Sequence, residues 1–207
     1  MAVIVSFLIL AVVGNLYSQS GSSEPVNITI ETSGSAEPAK QDAARFIIPE
    51  TAEAIIANAR ALATAQNKNI FIVFHASWCG WCHKMDTAMN DRSIKKYFDD
   101  SYVIRHLVVM ESKDKKGLEN PGALELMKKF SDESSGIPFW LVYDKSGNKL
   151  YDSRAVDPDG KSGSNVGCPA SVKEVDHFIT VLKGSSKISE EGLTKIRQRF
   201  RKIETGL

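Results

Sequence analysis

Ile70-Phe71-Ile72-Val73-Phe74-His75-Ala76-Ser77-Trp78-Cys79-Gly80-Trp81-Cys82-His83 is the stretch on which the reading of this chain turns. Its first five residues form an unbroken apolar run of β-branched and aromatic side chains, the pattern of a short strand buried on both faces. A helix is expected to open near Cys79. Two cysteines three residues apart on a helix lie close enough to form a disulfide. The first would stand at the helix N-terminus, where unpaired N–H groups and the helix dipole favour negative charge. Such a position can lower a thiol pKa from about 8.5 into the range of roughly 3.5–7.5. Cys79 is therefore expected to be an exposed nucleophile, with the more buried Cys82 resolving the mixed disulfide it forms.

Around that stretch the chain alternates between helix and strand. Ile55, Ala59, Leu62 and Ala63 give an apolar face to a helix over 51–66, which Asn67-Lys68-Asn69 ends. Asn90 or Asp91 can cap a helix reaching about Phe98, and 102–110 reads as a second strand. Asn120 followed by Pro121 starts another helix through Phe130, with Leu124 and Met127 inward. Phe139-Trp140-Leu141-Val142-Tyr143 is a third buried strand, with Trp140 in the core. The turn at 144–148 should fold Lys149–Arg154 back onto it as a hairpin. Ser171 and Glu174 form a capping box for a helix that Gly184 is expected to stop. A last helix, capped by Ser189, carries Ile188, Leu193, Ile196, Phe200 and Ile203 inward. Its opposite face carries Lys195, Arg197, Arg199, Arg201 and Lys202 and reads as solvated. This order suits an α/β fold, one mixed central sheet with helices on both faces.

The ends read differently. Ala2–Val13 is apolar but too short to span a bilayer at about 20 residues, and Ser18-Gln19-Ser20 offers small residues for cleavage before Gly21. Residues 1–20 are thus expected to be a signal peptide, with an uncleaved anchor as the rival. Residues 21–44, rich in Ser, Glu, Pro and Thr, are expected to be a flexible linker. Residues 45–184 would form the folded domain, and 185–207 a C-terminal helix packed on it or extending it. The expected place of action is outside the cytoplasm, periplasmic or secreted.

Composition supports a packed soluble domain and little else. The 207 residues are 43% hydrophobic and 25% charged with a net charge of +1, so no basic excess favours nucleic acid or an anionic membrane. Three cysteines are too few for a disulfide-stapled miniprotein or a four-thiolate zinc site.

The strand followed by Trp78-Cys79-Gly80-Trp81-Cys82 and a helix, with Gly136-Ile137-Pro138 ahead of the next strand, resembles the thioredoxin superfamily. The likeness spans about residues 45–184, and with Trp81-Cys82-His83-Lys84-Met85 it is similar to exported bacterial thioredoxin-like proteins. The resemblance implies a thioredoxin-like fold and thiol–disulfide exchange with protein substrates and a redox partner, with no cofactor and no metal. It implies that Ile137-Pro138 is a cis peptide facing the cysteine pair, with the Ile137 backbone pairing to substrate. Trp78 and Trp81 would flank the disulfide as a docking surface.

The sequence departs from the family at Val73, where many thioredoxins carry a buried acid. Proton handling would then fall to His75, to His83 or to water. The charged segment between Met110 and Asn120 is longer than in a compact thioredoxin and reads as a solvated insertion.

Other chemistries fit parts of the motif. Cys79-x-x-Cys82-His83 has the form of a c-type haem attachment site, though a haem protein needs no buried strand just upstream. Cys79, Cys82 and Met85 could serve as soft ligands for Cu(I) in a metallochaperone. Cys168, without an obvious partner, reads as a buried and inert thiol. His106 and His177 read as packing or surface residues.

Overall fold

Alternation along one strand sets the layers of the molecule. In the computed structural model, which describes residues 48–206 apart from 133, 157, 158 and 161, β1 (Asn69–His75) is buried on both faces. Ile70, Ile72 and Phe74 face one core, while Phe71 and Val73 face the other, as a period of two requires. The first core is closed by α1 (Ala52–Gln66) and α4 (Ala123–Lys128), through Ala52, Ala59, Ala63, Ala123 and Met127. The second is closed by α2 (Gly80–Met89), α3 (Lys95–Ser101), α5 (Val172–Ser185) and α6 (Glu190–Thr205).

Between these layers lies a four-stranded sheet in the order β2-β1-β3-β4, with β2 spanning Tyr102–Val108, β3 Phe139–Tyr143 and β4 Lys149–Asp152. β1 runs parallel to β2 and antiparallel to β3, and β4 is antiparallel to β3, so the sheet is mixed as expected. Trp140 is fully buried, as expected for a core residue, and its ring lies 5.5 Å from that of Phe71. The capping box at Ser171 and Glu174 is present, and Ser189 caps α6 by accepting from the Gly192 N–H.

Several boundaries differ from the sequence reading, each for a local reason. α3 starts at Lys95 because Asp91 spends its carboxylate on the Ser93 N–H and hydroxyl, building a turn instead of a cap. β2 stops at Val108, two residues before Met110 takes a left-handed φ of 56°. α4 starts at Ala123 because Gly122 sits at φ 81°, and it ends before Phe130. Gly184 lies within α5 and does not stop it; a side chain there would run into the Tyr151 hydroxyl. Arg154 leaves the hairpin and starts β5 (Arg154–Val156), which pairs with β6 (Ser162–Asn165) in a second, unexpected two-stranded sheet.

α6 is integral to the second core. Leu193, Ile196 and Phe200 are buried, with the Phe200 ring tilted against that of Phe178 at 4.9 Å. Its basic face is largely ion-paired: Lys195 to Glu191, Arg197 to Asp176, Arg199 to Asp91 and Arg201 to Glu204. The expected signal peptide and linker lie outside the described residues. No described helix is long and apolar enough to cross a membrane.

Candidate functional site

The crossover from β1 to α2 presents the cysteine pair. Ala76 ends the buried strand run and accepts from the Cys79 N–H through its carbonyl at 3.1 Å, turning the chain into the helix. Cys79 is the N-cap of α2, and its Sγ accepts the Cys82 N–H at 3.1 Å. Cys79 and Cys82 are joined by a disulfide, with Cα atoms 5.3 Å apart. An N-terminal N–H aimed at Sγ favours a thiolate there once the pair is reduced.

Burial corrects one expectation. Cys79 is only 3% exposed and Cys82 1%, so the first sulfur is nearly as shielded as the second. The covering comes from the proline loop, since Cys79 Sγ lies 3.6 Å from the Ile137 carbonyl oxygen, and Ile137 packs on Ala76, Cys79 and Cys82. The Ile137-Pro138 bond is cis. Pro138, Ile137 and Trp81 line a groove of about 280 Å³ together with Asn165, Gly167 and Cys168. Trp78, before the pair, and Trp81, between its two cysteines, remain 57% and 51% exposed. The Trp78 indole N–H donates to the Met110 carbonyl at 2.8 Å, and the Lys84 ammonium sits 4.2 Å above the Trp81 ring.

The histidines separate by role. His83 is exposed, and its Nε2 bonds the Ser77 carbonyl at 3.0 Å. His75 is half-buried at the end of β1, with its ring 5.1 Å from that of His106, whose Nε2 bonds Asp86 on α2 at 2.8 Å. Burial, and then the neighbouring His106, lower the His75 pKa below its ordinary value. His177 is half-buried with its ring stacked on that of Trp140. Burial pushes the Cys168 thiol up to about 12.

One residue escaped the sequence reading. Glu111 is 4% exposed, and its carboxylate accepts the Ser77 N–H at 2.5 Å and the Ser77 hydroxyl at 2.9 Å. It ties the start of the charged insertion to the loop that precedes Cys79. Among the described residues, no group of three or more His, Cys, Asp or Glu is placed to hold a metal ion.

Residues 51–145 match a protein family described as thioredoxin-like. Among solved structures, the chain is similar to a disulphide isomerase from Xylella fastidiosa Temecula1, at 20% identity over 73% of this chain and 90% of that one (TM-score 0.42). It is also similar to the oxidoreductase DsbH, at 21% identity over 72% and 95% of the two chains (TM-score 0.39). A third likeness is to the oxidised C-terminal domain of Neisseria meningitidis DsbD, at 17% identity over 51% and 84% (TM-score 0.37). A comparison with curated proteins found no match. Sheet order and family match define the class as a thioredoxin-like fold, with a Cys79–Cys82 disulfide at the start of α2. The chain carries the fold and the dithiol pair of a thiol–disulfide oxidoreductase.

Proposed function

We propose that this chain exchanges disulfides with protein substrates through Cys79 and Cys82. The observation that carries the reading is the Cys79–Cys82 disulfide at the start of α2, with Cys79 Sγ both accepting a helix N–H and facing the Ile137 carbonyl. In the reducing direction the Cys79 thiolate attacks a substrate disulfide, forming a mixed disulfide and releasing one substrate thiolate. Cys82, having lost its proton, then attacks Cys79 Sγ, releases the second substrate thiolate and restores the internal bond. The oxidising direction is the reverse. An unidentified redox partner resets the pair. The exposed Trp78 and Trp81, with Ile137 and Pro138, form the substrate-facing surface.

Val73 leaves no acid on β1 behind the pair, and His75 is the favoured proton-holding group. Its lowered pKa keeps it neutral near neutral pH, which suits a base, whereas His83 is occupied with the Ser77 carbonyl. The apolar run Ala2–Val13 supports an exported place of action, where disulfides persist.

The test is a pair of variants. Cys79→Ser should abolish exchange with a protein disulfide such as that of insulin, while Cys82→Ser should accumulate mixed disulfides because attack survives and resolution does not. Unchanged exchange in Cys79→Ser would overturn the reading. Stoichiometric Cu(I) binding without any exchange would point to the metallochaperone instead.

A further inference from the structure

Opposite the cysteines, one amide side chain gathers three separate segments of the chain. Asn165 ends β6, in the small sheet that lies outside the central one. Its Nδ2 donates to the Gly136 carbonyl at 2.8 Å and to the Pro138 carbonyl at 3.1 Å. Its Oδ1 accepts the Gly167 N–H at 3.0 Å and the Ser153 hydroxyl at 2.6 Å. Both donors and both acceptor positions of the amide are used, and the partners admit one orientation only: two carbonyls need the NH₂, and an N–H with an O–H needs the oxygen.

The anchor behind Asn165 is rigid. Ser153 is fully buried, and its hydroxyl also accepts the Trp140 N–H at 3.3 Å, fixing which way its own proton points. Trp140, in β3, returns from its indole to the Gly167 carbonyl at 2.9 Å. Asn165 thus transmits the position of the central sheet to the two loops that form the groove wall facing Cys79. Without it, the segment bearing Ile137 would be tied to the rest of the fold by fewer polar contacts.

We infer that Asn165 is a positioning residue for substrate: by holding the Gly136 and Pro138 carbonyls and the Gly167 N–H at once, it sets the backbone of the groove against which a polypeptide lies while Cys79 attacks. It touches no reacting atom. Its effect falls on chains that occupy the groove and not on small disulfides that need only the sulfur. The inference rests on the exchange reading above and adds the group that aligns a polypeptide substrate.

Asn165→Asp is the sharp perturbation, since it keeps the shape and both acceptors and sets a carboxylate oxygen against two carbonyls. Exchange is measured on insulin as the polypeptide disulfide and on cystamine as the small one, with the equilibrium potential of the Cys79–Cys82 couple as a third readout. The expected result is about a tenfold loss of kcat/KM on insulin, carried mainly by KM, with the cystamine rate unchanged within about twofold. The potential should not move. If Asn165→Asp does not fold, Asn165→Ser, which leaves room for a water between the same partners, replaces it with the same expectation. Equal losses on both substrates, or no loss on insulin, would overturn the inference and leave the exchange reading standing. A wild-type protein that exchanges neither disulfide would overturn that reading and the inference with it.

Discussion

Removing the Glu111 carboxylate should loosen the loop that carries the cysteines. The side chain is 4% exposed and holds Ser77 through two hydrogen bonds, one from the backbone N–H at 2.5 Å and one from the hydroxyl at 2.9 Å. A hydrogen bond to a charged group contributes about 1.5–3 kcal/mol net, so the two together bound the effect at about 3–6 kcal/mol. Ser77 itself is exposed, and water can reach both donors once the carboxylate is gone. That replacement pulls the expected cost of Glu111→Ala down to about 2–3 kcal/mol, or roughly 30- to 160-fold in the folding equilibrium. Glu111→Gln keeps one acceptor oxygen and can donate to the hydroxyl, so it should cost about half as much. The assay is guanidinium unfolding of the oxidised protein followed by tryptophan fluorescence. A double-mutant cycle with Ser77→Ala should return a coupling of about 1 kcal/mol. If Glu111→Ala stays within about 0.5 kcal/mol of wild type, the clamp is decorative and the reasoning fails.

Two further outcomes are expected. Cys168, buried and with its thiol pushed up to about 12, should resist iodoacetamide in the native oxidised protein at mildly alkaline pH and react fully once unfolded; fast labelling of the native form would contradict its burial. His75 and His177 both have pKa values lowered by burial, so the unfolded chain binds protons more readily than the native one below the ordinary value of 6.5. Their contribution to stability is fully present above that pH and is lost as the pH falls from 6.5 toward the lowered native values, and replacing both by Gln should flatten a stability–pH curve over that window. A curve equally steep in the double variant would assign the effect elsewhere.

What the sequence made legible was local. The runs 70–74 and 139–143 announced buried strands because both faces of each are apolar, and the cap at Ser171 with Glu174 needs only four residues to be recognised. The thiol pair was readable for the same reason, since its geometry depends on one strand end and one helix start. The misses were non-local. Glu111 sits in a charged stretch that reads as solvated, and the partner of its carboxylate is Ser77, 34 residues earlier. β5 and β6 carry no apolar alternation, and their sequence gives no sign of the four groups that Asn165 connects. Gly122 delayed α4 against a proline signal that usually marks the first helical turn, because its left-handed backbone cannot be part of the helix.

The same division runs through the site. The proposed attack at sulfur draws on Cys79, Cys82 and the N-terminal N–H that Cys79 accepts, all within four residues of chain. Holding that unit against a partner needs ties of far longer range. Glu111 fixes the loop before Cys79 from the start of the charged insertion after β2, and Asn165 fixes the groove wall from the small sheet. At the far end of α2, Arg199 of α6 reaches Asp91 across 108 residues. The Ser93 hydrogen bonds first, and Arg199 after them, hold the Asp91 carboxyl well below the usual carboxylate range, so this tie stays charged. Each tie anchors a different loop to the sheet or to α6, and none includes a sulfur. Substitutions in these ties should therefore alter which disulfides are reached and how stable the fold is, while the intrinsic chemistry of the pair follows the local geometry at Cys79.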